Sequence, residues 1–87
     1  MLPLNYAILN RYRVADPADV DMVMSALEPD YGRFRSFRRH LVIESLMTAK
    51  ENGLLDESDY NVGDDGELHI YYTLTDYGKD ILNKYIP

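Results

Sequence analysis

The sequence predicts one mainly α-helical domain with a small β-hairpin, an α+β class in the order helix, helix, helix, strand, strand, helix over residues 1–87. Apolar residues recur at helical spacing up to residue 52, alternate with period two between Glu67 and Leu74, and return to helical spacing after Thr75. With 87 residues and 46% hydrophobic content, the chain has enough apolar material for one core and no room for a second.

Two short helices are predicted at the N-terminal end. Leu4, Ile8 and Tyr12 lie at i, i+4 and i+8, which indicates an amphipathic helix from Leu4 to Tyr12. The second helix is expected to begin with Asp16 as its N-cap and Pro17 at the first helical position, because the ring of proline presets the helical φ angle.

The end of the second helix and the limits of the third are predicted from proline, serine and glycine. The second helix is expected to stop near Leu27, since Pro29 disfavours helical geometry in the residue before it. The third is expected to begin around Ser36 as N-cap and to run through Asn52, with Gly53 supplying a left-handed C-cap.

The third helix is predicted to have two different faces. Its core face holds Val42, Ile43, Leu46 and Ala49. The opposite arc holds Phe37, Leu41, Glu44, Thr48 and Glu51. Two large apolar residues, Phe37 and Leu41, are unexpected on a solvated face. They are predicted to form a protein interface or, alternatively, to pack beneath the hairpin or the N-terminal segment.

The hairpin is predicted from a change of period after Gly53. Alternation places Leu68, Ile70, Tyr72 and Leu74 on one face of its second strand. The first strand is expected over residues 54–62, joined through a tight turn at residues 63–66. This turn sets Leu55 opposite Leu74 and Tyr60 opposite His69, so the hairpin is apolar at its base and polar at its tip.

A last helix is predicted from Asp76 to about Tyr85. Thr75 is its N-cap, and Tyr77, Ile81 and Tyr85 lie at i, i+4 and i+8. Gly78 inside this helix costs up to about 1 kcal/mol relative to alanine, which indicates close packing against another element.

Charge is distributed unevenly along the chain. Nine Lys and Arg against fifteen Asp and Glu give a formal charge of -6, yet residues 31–50 contain five cations and one anion and carry +4, which leaves -10 for the rest. The cations are Arg33, Arg35, Arg38, Arg39 and Lys50. Such a patch attracts anions within a Debye length of about 8 to 10 Å. The alternative is internal neutralisation by Asp16, Asp19, Asp56 or Asp59.

Two segments resemble parts of a known fold. Ala49-Lys50-Glu51-Asn52-Gly53-Leu54-Leu55 resembles the end of a recognition helix that runs into a wing. Tyr71-Tyr72-Thr73-Leu74-Thr75-Asp76-Tyr77-Gly78 is similar to the Tyr-x-Leu-Thr-x-x-Gly run of MarR-like and PadR-like transcriptional regulators. Together with the element order, they resemble the winged helix-turn-helix superfamily. The short strand that usually follows the first helix is reduced here to Val14-Ala15.

The resemblance implies a small transcriptional regulator that places its third helix against double-stranded DNA. A dimer is expected because one such module with an acidic wing would bind DNA weakly. The residues predicted to contact DNA at the basic start of that helix are Arg33, Arg35, Arg38, Arg39 and His40. Arginine suits this role because its planar guanidinium group makes bidentate hydrogen bonds to phosphate.

Two features disagree with DNA binding. The predicted wing tip, residues 63–67, is acidic where a DNA-contacting wing needs cations, and the outward arc of the third helix lacks side chains that read bases. The alternative prediction is therefore a winged-helix module for protein interaction or dimerisation without nucleic acid, which associates through Phe37, Leu41 and the last helix.

Catalytic, metal and cofactor sites are not predicted. The chain has no cysteine, and no motif places His40 or His69 beside a nucleophile. The segment from Asp59 to Asp65 does not match a calcium loop, and no glycine-rich phosphate loop is present. No signal peptide or membrane-spanning run appears either, so the expectation is a cytoplasmic, non-enzymatic protein without a membrane partner.

Overall fold

The structure is a computed structural model that describes residues 1–86. Its elements are α1 (Leu4–Arg11), α2 (Val20–Tyr31), α3 (Arg39–Glu51), β1 (Leu55–Val62), β2 (Leu68–Leu74) and α4 (Asp76–Tyr85). The predicted α+β class and element order are confirmed. Within residues 1–86, no helix is both long and apolar enough to cross a bilayer.

The core lies where the helices meet the base of the hairpin. Its most deeply buried side chains are Ile8, Val23, Val42, Leu46, Leu55 and Leu82, which come from α1, α2, α3, β1 and α4. Two tyrosines at its edge are satisfied by backbone carbonyls, because Tyr12 Oη donates to Ala18 O at 2.9 Å and Tyr31 Oη donates to Leu2 O. All four helices and the base of the hairpin thus contribute to one core.

Helix α2 begins three residues later than predicted. Its N-cap is Asp19, whose Oδ1 accepts from the Met22 N–H at 2.9 Å, so Asp16 is not the cap. Asp16 instead accepts from the Thr73 hydroxyl at 2.6 Å and the Leu74 N–H at 2.9 Å. The cap-like Asp-Pro pair therefore ties the chain before α2 to strand β2.

Helix α2 also ends later than predicted, at Tyr31 rather than near Leu27. Pro29 lies inside the helix and cannot donate to the carbonyl of Ser25, but Ser25 is exposed and water can satisfy that oxygen. Tyr31, only 3% exposed, contributes packing that offsets the lost hydrogen bond.

Helix α3 begins at Arg39, so the prediction of Ser36 as its N-cap is wrong. The N-cap residue is Arg38, and the residue before it, Phe37, is 7% exposed and belongs to the core. Phe37 and Val42 occupy the two positions of a hydrophobic staple, which fixes how the chain enters the helix. The predicted C-terminal turn is confirmed, because Gly53 has a φ of 79°.

The hairpin is confirmed, with one error in register. Leu55 pairs with Leu74 as predicted, but Tyr60 pairs with Ile70 and not with His69. The register shifts between Glu57 and Asp59, where a bulge adds one residue to β1. A turn at residues 63–66 closes the hairpin, with the Gly63 N–H donating to Glu67 O at 2.9 Å.

Strand β2 is joined to the helical body at its base. Ala18 and Tyr72 form an isolated antiparallel bridge, so the third strand of the fold is a single residue and not Val14-Ala15. Directly after β2, Thr75 caps α4 by accepting from the Gly78 N–H at 2.9 Å. A Cβ at Gly78 would overlap the carbonyl oxygen of Leu54, which confirms the close packing predicted for this glycine.

Candidate nucleic-acid interface

The five residues predicted to contact DNA lie together on one exposed corner. Arg33 and Arg35 lie in the connection between α2 and α3, while Arg38, Arg39 and His40 lie at the start of α3. All five are exposed. We call these residues the basic patch.

The connection that carries the basic patch is held in place by local contacts. Arg38 Nε donates to the carbonyl oxygen of Arg35, at a long 3.4 Å. The ring of Phe34 lies edge-on to that of Tyr31, with centroids 5.3 Å apart. Because Tyr31 is buried, this contact anchors the segment to the core while leaving its arginines in solvent.

Among the described residues, the protein's own carboxylates neutralise only a small part of the charge of the basic patch. Arg39 Nε lies 3.2 Å from Asp21 Oδ1, and the hydrogen bond to Asp21 together with its charge raises the pKa of Arg39. In the described part of the chain, no ion pair involves Arg33, Arg35 or Arg38. The predicted alternative of internal neutralisation thus holds only for Arg39, and its predicted partners are wrong, since the carboxylate is that of Asp21 and not of Asp16, Asp19, Asp56 or Asp59.

The N-terminal end of α3 differs from those of α2 and α4. Asp19 and Thr75 cap α2 and α4 through their side chains, whereas α3 has no side-chain cap and no acidic residue in its first turn. The backbone N–H groups and the helix dipole make such an end favourable for an anion. The basic patch surrounds this end, so its charge and the dipole act in the same direction.

The outward face of α3 beyond its first turn is poor in base-reading groups. His40, Glu44, Met47 and Glu51 follow one line along the helix, and all four are exposed. Two are carboxylates, and none is the arginine, asparagine or glutamine that makes bidentate contacts to guanine or adenine. Lys50 turns toward the hairpin, where Nζ lies 3.4 Å from Glu57 Oε2.

The wing, which we define as residues 55–74, is acidic along its whole length. It contains six Asp and Glu and no Lys or Arg. At its tip, the N–H of Glu67 donates to Asp65 Oδ1 at 2.9 Å, and this hydrogen bond lowers the pKa of Asp65. The carboxylate at the turn is thus stabilised in its charged form, which opposes approach of the tip to phosphate.

The two residues predicted to form a protein interface have different outcomes. Phe37 lies in the core before α3, so its placement on an outward, partner-binding face is wrong. Its side chain packs in the hydrophobic core instead. Leu41 is half-buried beside a groove between α1 and α3, and its role in an interface stays a prediction.

One cluster of functional side chains was missed by sequence reasoning. Asp19 and Asp21 at the start of α2 meet His69 of strand β2, with His69 Nδ1 3.3 Å from Asp19 Oδ2 and 3.4 Å from Asp21 Oδ2. About fifty residues separate the acidic pair from the histidine, and no local motif connects them. Only the pairing of β2 with the residues before α2 brings them together.

Comparison with solved structures identifies the fold. A PadR-like transcription factor from Bacteroides fragilis superposes with a TM-score of 0.74 at 22% identity, over 94% of this chain and 75% of the other. Bacillus subtilis PadR, solved in complex with operator DNA, superposes with a TM-score of 0.77 at 24% identity, over 95% of this chain. The chain has the winged-helix fold.

The winged-helix assignment confirms the predicted resemblance to PadR-like regulators at the level of structure. The chain spans 47% of the length of Bacillus subtilis PadR and therefore corresponds to about half of that protein. No protein-family model and no curated protein matches the sequence.

Proposed function

We propose that this winged-helix protein is a small transcriptional regulator that binds double-stranded DNA through the basic patch. The observation that carries the proposal is the uncapped N-terminal end of α3 surrounded by exposed arginines, three of which have no carboxylate partner within residues 1–86. Backbone N–H groups, the helix dipole and guanidinium groups there all favour a phosphate oxygen.

The proposed contact is made mainly to the DNA backbone. Arg33, Arg35 and Arg38 neutralise phosphates, while Glu44, Glu51 and the acidic wing are held away from the duplex by repulsion. Phosphate contacts position a protein but carry little sequence information. We therefore expect modest affinity, weak preference among sequences and strong dependence on salt.

The comparison with PadR supports this use of the fold. The Bacillus subtilis protein was solved in complex with its operator DNA. The match to it covers 95% of the present chain and 47% of PadR. In the winged-helix mode of binding, the second helix of the helix-turn-helix enters the major groove. In this chain that element is α3, and its N-terminal end is the part whose charge suits such contact.

The proposal is tested by fluorescence anisotropy with a mixed-sequence duplex at low and moderate salt. The chain is compared with a triple variant, Arg33→Ala, Arg35→Ala and Arg38→Ala. Three phosphate contacts per protomer predict a slope of log K against log salt of about -2.7 for each protomer that contacts the duplex, and the triple variant is expected to lose most binding.

Arg13→Ala is the matched control for this titration. Arg13 lies at the other end of the body, where it donates to Asn10 Oδ1 at 3.0 Å and Asn83 Oδ1 at 2.9 Å. Its loss removes one charge without touching the basic patch, so affinity is expected to change little. No binding at low salt, or equal binding by the triple variant, would refute the proposal.

We further propose that the regulator is a dimer that associates through the outer face of α4. Tyr77 and Tyr85 are 56% and 59% exposed and flank Ile81 on one line, while Leu82 on the inner face is buried. Three adjacent apolar side chains at helical spacing form the kind of patch that a second copy covers.

Sedimentation distinguishes this arrangement from a monomer. The wild type is expected to be a dimer, and Tyr77→Asp with Tyr85→Asp a monomer. Tyr60→Asp, which places the same change on the exposed wing, is expected to leave the dimer intact. A monomeric wild type at high concentration excludes the dimer. A dimer without any DNA binding favours the alternative of a self-association module.

A further inference from the structure

A second cluster of polar side chains lies where α2 begins beside strand β2. Asp19 Oδ2, Asp21 Oδ2 and His69 Nδ1 all lie within 4.8 Å of one another, with His69 Nδ1 at 3.3 Å and 3.4 Å from the two oxygens. Within residues 1–86, none of these contacts is a hydrogen bond. The imidazole nitrogen lies at ion-pair distance from both carboxylates, and the three atoms converge on one point.

The other polar atom of each side chain faces a separate group, through a hydrogen bond for the two aspartates and at longer range for His69. These groups are the Met22 N–H on Asp19 Oδ1 at 2.9 Å, Arg39 Nε on Asp21 Oδ1 at 3.2 Å, and Asp65 Oδ1 facing His69 Nε2 at 3.7 Å. A carboxylate behind the far nitrogen of a histidine is the usual support of a metal-bound imidazole. The supporting contacts leave one atom per side chain directed into the cluster.

Because two of these side chains are largely buried, bringing the carboxylates together costs free energy unless a cation balances their negative charge. The side chain of Asp19 is 7% exposed and that of His69 is 17% exposed. Asp19 Oδ2 has His69 Nδ1 as its partner at 3.3 Å, so a nearly buried carboxylate oxygen and an imidazole nitrogen are both directed into the cluster. Asp21 and Asp65 bring further negative charge, while Arg39 supplies one positive charge at the outer edge.

The two distances from His69 Nδ1 to the carboxylate oxygens match the edges of a metal coordination polyhedron. A tetrahedral ion with bonds of about 2.0 to 2.1 Å to nitrogen and oxygen has ligand-to-ligand edges of roughly 3.3 to 3.4 Å. One imidazole with two carboxylates suits Zn²⁺ better than the all-oxygen ligand sets of Mg²⁺ or Ca²⁺. A groove between α2 and the wing borders the cluster and leaves room for water as fourth ligand.

We propose that Asp19, Asp21 and His69 bind one divalent transition-metal ion of the zinc type. The ion would join the first helix of the helix-turn-helix to the wing and fix the angle between them. Asp21 would then bind the ion through Oδ2 while its Oδ1 accepts from Arg39 of the basic patch. This site does not depend on DNA binding, since it rests on its own geometry.

The proposal is tested by isothermal titration of the full chain with ZnCl₂ at neutral pH, with MgCl₂ as a comparison. We expect one saturable zinc site per chain and no detectable magnesium binding. His69→Gln and Asp21→Asn are each expected to weaken zinc binding at least about tenfold, and Asp65→Asn to weaken it less, by orienting the imidazole less well.

His40→Gln is the matched control, because the chain has two histidines and no cysteine. His40 is exposed at the start of α3, so zinc binding is expected to be unchanged. Substitution by Co²⁺ is expected to give the visible bands of a four-coordinate ion, absent in His69→Gln. Circular dichroism establishes that each variant is folded. If His69→Gln is unfolded, the half-exposed Asp21→Asn decides the outcome.

Three results would overturn the metal site. These are no stoichiometric zinc binding by the wild type, undiminished binding by the folded cluster variants, or loss of binding in His40→Gln. The first result would leave Asp19, Asp21 and His69 as an ion-pair cluster around a protonated imidazole.

Discussion

Gly78 shows how one residue determines the fit between α4 and the hairpin. A Cβ there would overlap the carbonyl oxygen of Leu54 and lie 2.8 Å from Leu74 Cδ1. Gly78→Ala gains up to about 1 kcal/mol of helix propensity, but backbone atoms must move, and overpacking typically costs about 1 to 3 kcal/mol. We expect a net destabilisation of about 1 to 2 kcal/mol.

Urea denaturation with circular dichroism measures the effect of Gly78→Ala. Asp80→Ala, two residues further on the exposed side of the same helix, is the control and is expected to change the free energy of unfolding by less than about 0.5 kcal/mol. Equal midpoints for Gly78→Ala and wild type would mean that α4 does not press against Leu54.

Ionisation of Tyr12 is expected to make the stability of the fold decrease at alkaline pH. Burial, with the nearby charge of Asp16, raises its pKa well above the usual value of about 10. The folded state therefore keeps this proton when the unfolded chain has lost it. The contribution to stability is complete below about pH 10 and is lost progressively as pH rises further. Urea midpoints are expected to fall from pH 9 to about pH 11.

Tyr12→Phe separates this titration from general alkaline effects. The variant loses the hydrogen bond to Ala18 O and starts from a lower stability, but its decline with pH is expected to be shallower. A shallower rather than flat decline is expected because burial also raises the pKa of Tyr72. Equal slopes for variant and wild type would contradict the assignment.

Single residues were well predicted where the interaction is local. Thr75 caps α4 and Gly53 adopts positive φ because each acts through its own segment of backbone. Asp16 and Ser36 looked equally suitable as caps, yet neither serves as one. In these cases a tertiary contact decides: Asp16 bonds strand β2, and burial of Phe37 shifts the start of α3.

At the scale of elements, the wing is the part whose charge most opposes DNA binding. Asp64 and Glu67 lie at its tip and are exposed. Asp64→Lys with Glu67→Lys replaces repulsion by attraction and is expected to raise the affinity for mixed-sequence duplex and to steepen the salt slope by up to about 1.8, for two added contacts. Anisotropy titrations at several salt concentrations measure both quantities.

A second double variant controls for net charge, because it carries the same charge reversal away from the proposed DNA contact. Asp76→Lys with Asp80→Lys changes the overall charge equally on exposed positions of α4, and sedimentation establishes that the dimer persists, because both positions adjoin Tyr77 and Ile81. This control is expected to have a smaller effect on affinity and slope. If the two double variants bind DNA alike, the wing does not lie near the duplex.

Elements were predicted better than their ends or their register. The change of hydrophobic period located α3, the hairpin and α4 because it reflects which side chains are buried. The extension of α2 to Tyr31 and the bulge after Glu57 depend on packing between elements and leave no periodic signal in the sequence. The pairing of Tyr60 was misplaced by one residue for this reason.

At the scale of the whole molecule, opposite charges meet where the wing tip approaches Arg39, since Asp21 and, less strongly, Glu67 and Asp65 raise the pKa of that arginine. The basic patch lies at one end of α3, while the wing carries six acidic residues and no cation. The position of the basic patch was predictable from sequence because its residues all fall within the short segment 33–40. The Asp19, Asp21 and His69 cluster was not, since its members are distant in the chain and meet only in the fold.

The central claim is that the basic patch, and not the wing, contacts DNA. Its most direct test is a titration of the ¹⁵N-labelled chain with a mixed-sequence duplex at low salt, followed by amide chemical shifts. We expect the largest changes at residues 33–40 and small changes at residues 63–67. Shifts confined to the wing or to α4, or no shifts at all, would contradict the claim.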